Sequence, residues 1–462
     1  MQPPSRLESL RVNQKEIDNM PSKQLFAEHI ASLENNYQSA LQFCGISEEN
    51  SILVHSGSEQ FYYADDRAIA FQAYGHFLHW VPINRPDQFL LFTPGQRPRY
   101  LQVTPSDYWH DQTIDNADWW TDSLNIINLD RVEDIAKYID SADTIYVGQE
   151  PKMAQALLGD QLKVNPQPLL HYLNYQRAYK SRYEVSQLRQ ANAKALIGHK
   201  AAEDAFKEGL SEYGIHQAYL QACEILEYEA PYTNIVALDD RSAILHYQNK
   251  RRGNAMDSQV LLIDAGYRLN NYGSDITRTY AKDSAHPVFR SLLEGMESLE
   301  TELVDSIEVG KNYTEIHAST LRRVGALLRQ LELVNADDDV MLEMKLPQLF
   351  MPHGVGHLLG LQVHDVAGFQ QDLAGTMKAA PEHSPALRNT RAVEENMVFT
   401  IEPGCYFIPL LLEPQRNTAI GEILNWKLID ELYPYGGIRI EDNISVTKSG
   451  IENLTRKPHQ NP

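Results

Sequence analysis

The chain of 462 residues carries a formal net charge of −21 at pH 7, and 43% of its residues are hydrophobic and 22% charged. This composition is that of a globular protein, and the length predicts two or three domains. The acidic balance argues against nucleic acid and anionic membranes as partners, because both require a basic surface. Every apolar run is shorter than the roughly 18 residues of a membrane span.

The N-terminus and the cysteines indicate a compartment. Residues 1–22 are polar and lack the apolar segment of a secretory signal, so they predict an extension ahead of the first domain. Cys44, Cys223 and Cys405 are widely spaced and odd in number, which argues against a disulfide framework. We therefore expect reduced, buried thiols and a cytoplasmic location. Cys405 directly follows the EPG motif, so the alternative for this cysteine is a thiol that lies near a functional site formed by that motif.

Residues 23–175 predict an α/β domain. A first helix is predicted in KQLFAEHIASLENNYQSALQFCG, because apolar residues recur there at three- and four-residue spacing and Gly45 suits its end. Helical stretches then alternate with short apolar runs, a rhythm typical of a mostly buried sheet: SILVHSG, HFLHWVPI, QFLLFTP and TIYVGQ. The aromatic and acidic stretch DYWHDQTIDNADWWTD predicts a surface loop or a short helix.

Residues 176–462 predict a second domain that opens with a long helix near Lys180. Three further helices are predicted in IHQAYLQACEILEYE, PVFRSLLEGMESLETELVDSI and YTEIHASTLRRVGALLRQLEL. Strand-like segments form two clusters on either side of the last two helices. They are NIVALDD, AILHYQ, QVLLIDAGYRL and DITRTYA, then VGHLLGLQVHD, MVFTIEPGCYFI and GGIRIEDNISV. We expect a sheet with antiparallel pairs and helices on one face, and an α/β (α+β) fold overall.

The second domain supplies candidate metal ligands of one chemical kind. Four carboxylates and one imidazole suit a pair of divalent cations such as Mn²⁺, Co²⁺ or Zn²⁺ better than a thiolate-rich structural site. A lone acid at a strand end is usually a cap or a turn residue, but four with a glycine-rich histidine motif favour a metal centre. Two such cations can clamp both oxygens of a hydrolytic transition state, so the pattern predicts a hydrolase. The candidates are Asp264 in LLIDAG, Asp275 in YGSDITRT, His357 in HGVGHLLG, Glu402 in FTIEPG and Glu441 in GIRIEDN.

The positions of the four acids predict that they converge. The turn-forming run LNNYG lies between Asp264 and Asp275 and predicts a hairpin that brings both carboxylates to one edge. Glu402 ends the apolar strand VFTI, where a Pro-Gly pair breaks the strand. Glu441 likewise follows the alternating GIRI. Acids at strand ends beside turns are well placed to meet at the mouth of a sheet.

The segment HGVGHLLGLQVHD holds His353, His357 and His364. The first two are four residues apart, as in a helical zinc pair, but the glycines between them argue against a helix. The segment is not HExxH, which disfavours a single-zinc site of that kind. A lone histidine here would most often be a hydrogen-bonded core residue. Three close together favour one ligand, His357, and two contacts to a substrate.

Basic side chains accompany the acids. His246 lies in AILHYQ, at the end of a predicted apolar strand. Arg439 stands two residues before Glu441, so strand alternation points Arg439 and Glu441 to the same face. Arg388 and Arg391 lie in LRNTR, upstream of the Glu402 strand. Each arginine is either a structural counter-charge for the carboxylates or a bidentate partner for a substrate carboxylate. Both interpretations stay open at this point.

Together these motifs resemble the metal-dependent prolidase and creatinase-aminopeptidase family with the pita-bread fold. They most resemble its bacterial Xaa-Pro dipeptidases, the group that includes the organophosphorus acid anhydrolases. The resemblance extends from about Gln24 to Thr455 and implies a creatinase-like N-terminal α/β domain followed by a pita-bread catalytic domain. It rests on HSG, FYYADD, PYTNIVAL, LLIDAG, DITRTY, HGVGHLLGLQVHDV, LRNTR, FTIEPGCYFI and GGIRIEDN, and on the long insertion between EPG and GGIRIED.

The resemblance implies hydrolysis of Xaa-Pro dipeptides by a hydroxide that bridges two divalent metal ions per subunit, usually Mn²⁺. Asp275 and Glu441 would bridge the ions, and Asp264 would complete one site. His357 and Glu402 would complete the other, with Glu402 also transferring the proton. A side activity on organophosphorus triesters or fluoridates is expected, because their tetrahedral centre resembles the transition state of amide hydrolysis.

The resemblance also implies residues that contact the substrate. His353 and His364 would orient it and stabilise the developing oxyanion. The carboxylate of the C-terminal proline would be held by His246, Arg388 and Arg439. This grip gives a physical reason for preferring dipeptides.

Four further positions match the family's pocket. Tyr232 and Val363 match pocket walls, although Tyr232 is otherwise a plain core aromatic. Asp66 and Trp80 match positions that reach an active site across a family dimer, and their alternatives are a surface acid and a buried aromatic. The resemblance implies a homodimer or a dimer of dimers. The chain departs from close relatives at Leu358, where they often carry a second histidine, which affects the surroundings of the ligands but not the five ligands.

Other functions within and outside catalysis are weighed against this one. Aminopeptidase P cleaves longer peptides and would be indifferent to replacement of Arg388, whereas a dipeptidase should have a closed pocket. Creatinase needs no metals, and this chain keeps all five ligands. Some members of the fold only bind proteins or peptides, but such modules usually lose ligands.

Overall fold

A computed structural model describes residues 22–456, so the predicted extension 1–22 lies almost entirely outside the described residues. In the part of the chain that is described, no helix is long and apolar enough to cross a membrane. The chain forms two compact units. Among the described residues, the first comprises those up to Leu170 together with Ser181–Ser186, and the second comprises His171–Lys180 together with those from Gln187 onward.

The first unit is built on a six-stranded mixed sheet. Its strands are β1 (Ser51–His55), β2 (Phe89–Phe92), β3 (Arg99–Val103), β4 (Asn125–Leu129), β5 (Thr144–Val147) and β6 (Lys163–Val164). They lie in the order β4-β3-β2-β1-β5-β6, and the central strand β1 pairs in parallel with β5 and antiparallel with β2. These three strands are almost completely buried, which explains their continuous apolar sequences.

From Ser22 onward, where the description of the chain begins, four helices belong wholly to this unit: α1 (Ser22–Phe43), α2 (Gly75–Trp80), α3 (Asp118–Thr121) and α4 (Pro151–Leu158). Gly45, with φ +65°, follows the end of α1 as its sequence predicts. The short α3 lies in the aromatic and acidic stretch, for which a loop or short helix is predicted. The run HFLHWVPI, expected among the strands, instead forms α2, all six residues of which are buried. Short buried helices and buried strands are equally apolar, so periodicity alone does not separate them.

Helices precede and separate the strand clusters of the second unit, as predicted. They are α5 (Gln167–Arg177), α6 (Arg182–Lys207), α7 (Glu212–Cys223), α8 (Pro287–Asp305), α9 (Tyr313–Gln330), α10 (Asp338–Glu343), α11 (Pro347–Phe350), α12 (Pro409–Leu412), α13 (Ala419–Ile423) and α14 (Trp426–Leu432). The helices α5 and α6 extend across the limits of the two units. The main core of the second unit joins apolar residues of α8 and α9, such as Phe289 and Leu328, to Phe399 and Ile444 of the strands.

The strands of the second unit form small antiparallel sheets around this core. They are β7 (Ile235–Leu238), β8 (Val260–Asp264), β9 (Arg268–Leu269), β10 (Tyr272–Gly273), β11 (Thr277–Ala281), β12 (Val398–Ile401), β13 (Gly404–Tyr406), β14 (Gly437–Arg439), β15 (Asp442–Thr447) and β16 (Gly450–Asn453). The pairings are β11-β8-β7, β10-β9, β12-β15-β16 and β13-β14. The predicted α/β class and the two strand clusters are therefore confirmed.

Two predicted strands of this unit are wrong. The segment VGHLLGLQVHD forms a series of bends with a single bridge, between Leu358 and Phe399. Gly356 has a positive φ, and Gly356 and Gly360 both approach neighbouring atoms too closely for a residue with a Cβ, which a regular strand does not require. The run AILHYQ forms a turn after a short 3₁₀ segment at Asp239–Ala243. His246 therefore lies in a turn and not at the end of a strand.

Candidate metal centre

The predicted hairpin positions the first two acids. Asp264 is the last residue of β8 and lies opposite Thr277, the first residue of its antiparallel neighbour β11. Asp275 precedes β11, and its backbone N–H donates to Oδ1 of Asn443 at 3.0 Å. The side-chain amide of Asn443 donates in return to the carbonyl of Asp275. The second strand cluster therefore fixes the backbone that carries Asp275.

Glu402 and Glu441 each lie in a short break between two strands, and the strands on either side of the two breaks pair with each other. Glu402 lies between β12 and β13, and Glu441 lies between β14 and β15. Because β12 pairs with β15 and β13 pairs with β14, the two interruptions face each other. The N–H of Glu441 donates to the carbonyl of Thr277 at 3.0 Å, which joins this pair of acids to the hairpin.

A glycine-dependent loop places His357 against the Glu402 strand. Backbone hydrogen bonds connect Thr400 N–H to the His357 carbonyl at 2.9 Å and Glu402 N–H to the Val355 carbonyl at 2.8 Å. Gly356 has φ +151°, and a Cβ at this position would overlap the carbonyl of Thr400 and the hydroxyl of Tyr313. Only glycine allows this close approach of the two backbones.

The five candidate ligands line one cavity of about 220 Å³. His357 Nε2 lies 3.2 Å from Asp275 Oδ2 and 3.7 Å from Glu402 Oε1. Donor atoms of Asp275, His357 and Glu441 all lie within 4.8 Å of one another. We name this group the cavity cluster; its members are Asp264, Asp275, His357, Glu402 and Glu441.

The donor atoms of the cavity cluster fit divalent cations. Asp264 Oδ1 is buried and makes no hydrogen bond of normal geometry to the described residues. His357 Nδ1 contacts the carbonyl of Leu358 at 3.0 Å and must therefore carry the hydrogen. Nε2 thereby faces Asp275 and Glu402. Although burial opposes it, the hydrogen bond and charge of Asp275 raise the pKa of His357, and a bound cation would take the place of the Nε2 hydrogen. A histidine that donates its other ring N–H to a carbonyl is the usual arrangement of a metal ligand.

The pKa values of the carboxylates reflect burial and the closeness of other negative charges. Burial raises the pKa of Glu402 to about 7, and the charges of Asp275 and Asp264 add to the rise. Burial and Asp275 raise the pKa of Glu441 well above its ordinary value. Burial would also raise the pKa of Asp275, but the hydrogen bond and charge of His357 hold it below its usual range. Four carboxylates of this kind ionise together only if cations offset their charge.

Arg439 supplies part of that positive charge from within the protein. Its Nη2 donates to Asp264 Oδ2 at 2.6 Å, its Nε to Thr277 Oγ1 at 3.0 Å and its Nη1 to the Tyr406 hydroxyl at 3.0 Å. Thr277 Oγ1 in turn donates to Glu441 Oε2 at 2.6 Å. All three guanidinium nitrogens of Arg439 are thus engaged, which favours the counter-charge interpretation over a grip on substrate.

A hydrogen-bonded chain continues from Arg439 to His353. The Tyr406 hydroxyl, which accepts from Arg439, lies 3.0 Å from His353 Nε2, and His353 Nδ1 lies 2.8 Å from the carbonyl of Gly354. The carbonyl requires a hydrogen on Nδ1, so Nε2 accepts from Tyr406. Burial and then Arg439 lower the pKa of His353 to about 3, which keeps the ring neutral near pH 7.

Thr277 and Tyr406 were not among the residues predicted from the sequence. Thr277 occupies the strand position opposite Asp264, which a correctly registered hairpin reveals. Tyr406 lies in β13, which pairs with the strand of Arg439, a partnership that sequence order does not show.

The remaining predicted residues divide between the cavity wall and other places. His246, His353, His364, Arg388 and Arg439 line the cavity with the cluster. The His364 ring meets the His357 ring edge to face, with centroids 4.3 Å apart. Among the described residues, the Arg388 guanidinium has no hydrogen-bonded or ion-paired partner. Leu245, Pro352 and Ala386, which sequence reasoning missed, add apolar wall.

Tyr232 and Val363 lie close to the cavity but are not part of its wall. The Tyr232 hydroxyl is buried without a hydrogen-bond partner of normal geometry among the described residues, and the nearby Asp264 and Asp275 add to the rise that burial causes in its pKa. Val363 lies beside the backbone of Gly273. Both positions therefore neighbour the hairpin that carries the first two acids.

Two predicted substrate contacts belong to the first unit. Asp66 is exposed. Trp80 is completely buried in the core, with its ring centroid 4.8 Å from Tyr37 and 5.7 Å from Phe92. Packing within the first unit accounts for Trp80.

Cys405 and Arg391 lie away from the cavity wall. Cys405 is fully buried in the main core, and burial raises the pKa of its thiol, which fits the inert, reduced thiol expected for it. Arg391 stacks on Tyr175 at 3.9 Å and pairs with Glu394 at 3.1 Å, so it is a structural cation.

Family comparisons agree with this geometry. Residues 186–448 match metallopeptidase family M24, and residues 24–175 match the N-terminal domain of Xaa-Pro dipeptidases. The fold and the cavity cluster thus define a two-domain metallopeptidase of the pita-bread type.

Relatives sharpen this class. The chain is 40% identical over 440 residues to the Xaa-Pro dipeptidase of Pseudoalteromonas atlantica, covering 94% of this chain and 98% of that one. It is 39% identical over 436 residues to the Xaa-Pro dipeptidase of Yersinia pseudotuberculosis, with the same coverage. The chain therefore belongs to the Xaa-Pro dipeptidase family of M24 metallopeptidases.

Solved structures of more distant proteins share the fold. Aminopeptidase P of Escherichia coli superimposes with a TM-score of 0.71 at 20% identity, covering 96% of this chain and 97% of that one. An aminopeptidase of Pseudomonas aeruginosa gives a TM-score of 0.71 at 22% identity, covering 94% and 95%. The pita-bread fold implied by the motifs is confirmed.

Proposed function

We propose that the protein hydrolyses dipeptides with a C-terminal proline in a reaction that requires divalent cations. The observation that carries this proposal is the cavity cluster itself. Four carboxylates and one imidazole from separate segments meet at one cavity, in a chain that shares family and length with Xaa-Pro dipeptidases. Binding modules that have lost their ligands do not account for this arrangement.

The cavity cluster divides naturally between two cations. Following the family resemblance, we assign Asp275 and Glu441 to both ions. Asp264, held by Arg439, would complete one site. His357 and Glu402, 3.7 Å apart, would complete the other. The bound pair would supply Lewis acidity and a water nucleophile of lowered pKa.

The protein side chains position the reaction. Glu402 carries a proton from the attacking water toward the nitrogen of the leaving proline. His353, fixed by Tyr406 and by the Gly354 carbonyl, lies 3.7 Å from Glu402 through Nδ1 and orients the substrate beside it. To His364, which meets His357 edge to face, we assign the donation of a hydrogen bond to the developing oxyanion.

Arg388 is the best candidate for the carboxylate of proline. It lines the cavity, and its guanidinium donors are not used by the described residues. His246 lies on the same wall and adds a second polar contact. Arg439 contributes indirectly, by holding Asp264 and Tyr406. A fixed cation at the C-terminal end of the substrate favours dipeptides over longer peptides.

Finer features complete the proposal. We assign Mn²⁺ as the metal, a homodimer or dimer of dimers as the assembly, and organophosphorus triesters or fluoridates as minor substrates. Tyr232 and Val363, which lie beside the hairpin of the first two acids, would shape the pocket from behind its wall, and the exposed Asp66 would reach the active site of a dimer partner. The buried Trp80 is assigned to the core of the first unit and not to such a contact. We also propose domain limits at 23–175 and 176–462. The free thiols of Cys44, Cys223 and Cys405 support a cytoplasmic location.

Metal removal and replacement test the proposed activity. Protein treated with EDTA should lose cleavage of Gly-Pro and Leu-Pro, and Mn²⁺ should restore both. Gly-Gly, which lacks proline, should remain uncleaved throughout. Protein that binds Mn²⁺ and still leaves both proline dipeptides intact would contradict the proposal.

A further inference from the structure

A second cluster of histidine and carboxylate lies within the first unit. His29 from α1, His79 from α2 and Glu184 from the first turn of α6 are buried, with 1%, 7% and 3% of their surfaces exposed. Their donor atoms lie within 4.8 Å of one another. We name this group the first-unit cluster. It brings together three helices that are distant in sequence.

Hydrogen bonding fixes the orientation of the His29 ring. His29 Nε2 lies 2.7 Å from the backbone carbonyl of His79. A carbonyl only accepts, so Nε2 carries the hydrogen and Nδ1 presents its lone pair to the cluster. Nδ1 faces Ser181 Oγ at 2.8 Å and Glu184 Oε2 at 3.8 Å. A ring N–H donated to a carbonyl is also the arrangement of His357 in the cavity cluster and is usual for metal-bound histidines.

The other donor atoms have the spacing of a compact metal site. His79 Nε2 lies 3.3 Å from Glu184 Oε1. Bonds of roughly 2.0–2.2 Å to a tetrahedral Zn²⁺ place neighbouring donors about 3.3–3.5 Å apart. The two histidines lie 3.3 and 3.8 Å from the two oxygens of Glu184, and all three donors lie within 4.8 Å, so a bound cation would draw them closer together. Burial lowers the pKa of His29 to about 4, so its ring is a neutral ligand near pH 7.

We propose that His29, His79 and Glu184 bind a divalent transition-metal cation of the Zn²⁺ type, with Ser181 Oγ or a water as the fourth ligand. The cation would join α1 and α2 to the start of α6 and stabilise the first unit. Two imidazoles and one carboxylate suit Zn²⁺ better than Mg²⁺ or Ca²⁺, which prefer oxygen ligands. This site is independent of the proposed peptidase function.

Helix capping provides the competing explanation for Glu184. Ser181 N–H donates to Glu184 Oε2 at 2.8 Å, and Glu184 N–H donates to Ser181 Oγ at 3.4 Å, which is a capping box at the start of α6. Hydrogen bonds to Ser181 and Glu184 can also orient the two histidine rings, so the two explanations differ in whether a cation is bound. Because a helix N-terminus disfavours a cation, the Glu184 charge is essential to the proposed site.

Metal stoichiometry separates the two explanations. The full chain carrying Asp275→Asn and Glu441→Gln, which disables the cavity cluster, is stripped with a chelator and titrated with Zn²⁺. We expect this variant to bind one Zn²⁺ per chain tightly. The same variant with His79→Gln added should bind no Zn²⁺ tightly. His110→Gln, at an exposed histidine of the same unit, is the matched control and should leave the Zn²⁺ bound.

Spectroscopy and stability measurements guard against misfolding. X-ray absorption of the Zn²⁺ retained by the double variant should show two imidazole ligands, and Zn²⁺ should raise its melting temperature. His79→Gln in the otherwise unchanged chain should keep its dipeptidase kcat and KM, which shows that it folds. A double variant without tight Zn²⁺, or with Zn²⁺ that survives His79→Gln, overturns the proposal and leaves the capping box alone.

Discussion

Two buried clusters of histidine and carboxylate differ in charge and in access. The cavity cluster holds four carboxylates for one imidazole and opens on a cavity of about 220 Å³. The first-unit cluster holds one carboxylate for two imidazoles and is almost completely enclosed. Both fix a histidine tautomer through a backbone carbonyl. The same ligand types thus occur in a setting that admits a substrate and in one that joins helices.

The surplus of negative charge is what makes the cavity cluster reactive. Among the described residues, its four carboxylates have an ion pair with one arginine, Arg439, so divalent cations are required to neutralise the rest. Neutralisation leaves open space beside the ligands, in which a peptide bond can be placed. The first-unit cluster has no such surplus, and a cation there would be fully surrounded by protein. Its expected contribution is to stability.

Asp275→Asn should give the largest effect and tests the surplus-charge interpretation directly. Loss of this carboxylate, which we propose as a bridging ligand, should lower kcat/KM for Gly-Pro by about 10³-fold or more, since metal-assisted hydrolysis depends on several kcal/mol of charge stabilisation. The matched control is Asp283→Asn, at an exposed aspartate of the same unit. Steady-state kinetics with Mn²⁺ present measure both. A kcat/KM within tenfold of that of the parent chain would contradict the assignment of Asp275 as a metal ligand.

The convergence of the acids could be predicted because local sequence determines it. Apolar strands that stop at a turn or at a Pro-Gly pair deliver Asp264 and Glu402 to strand ends, where the structure has them. The order of the motifs then identified the family. Strand pairing was less accessible, because β12 and β15 are separated by the long insertion.

The loop that carries the three histidines could not be predicted from its own residues. Its alternation of apolar and polar residues resembles a strand, yet its path is set by close approach to Thr400 and by the φ of Gly356. The Arg439–Tyr406–His353 chain depends on the same tertiary contacts. Likewise, the first-unit cluster combines residues of three separate helices, and the sequence carries no motif for it.

Asp365→Ala tests the opposite case, a buried carboxylate whose charge is fully matched. Asp365 follows His364 and binds Arg177 at 2.5 Å and Lys180 at 2.9 Å, with all three side chains 1–2% exposed. Its removal leaves two buried cations unpaired and should lower the free energy of unfolding by about 3–5 kcal/mol. Chemical denaturation measures the loss. Glu413→Ala, which breaks an exposed pair with Arg416, should have almost no effect, and a similarly small loss for Asp365→Ala would refute the matched-charge explanation.

His317 is a buried histidine that has no carboxylate partner among the described residues, so it can be compared with the histidines of both clusters. Burial, and then the charge of His383, lower its pKa from 6.5 to about 4. The folded state therefore resists protonation more than the unfolded state does. The free energy of unfolding is therefore unaffected by His317 above pH 6.5. It falls by about 3 kcal/mol as the pH is lowered from 6.5 to 4. His317→Gln should flatten this part of the pH profile of unfolding free energy by that amount, and His110→Gln should not; identical slopes would contradict it.

Arg388→Ala should give the smallest effect, because it removes a contact to the substrate and not a ligand. Loss of one charge-assisted interaction of about 1.5–3 kcal/mol should raise KM for Gly-Pro by about 10- to 100-fold, with a smaller change in kcat. Gly-Pro amide lacks the carboxylate and should be cleaved equally by both proteins. Equal KM values for Gly-Pro would instead favour an enzyme that does not bind the C-terminal carboxylate of its substrate. The pair of substrates therefore separates recognition by Arg388 from chemistry at the cavity cluster, since only the first depends on the free carboxylate.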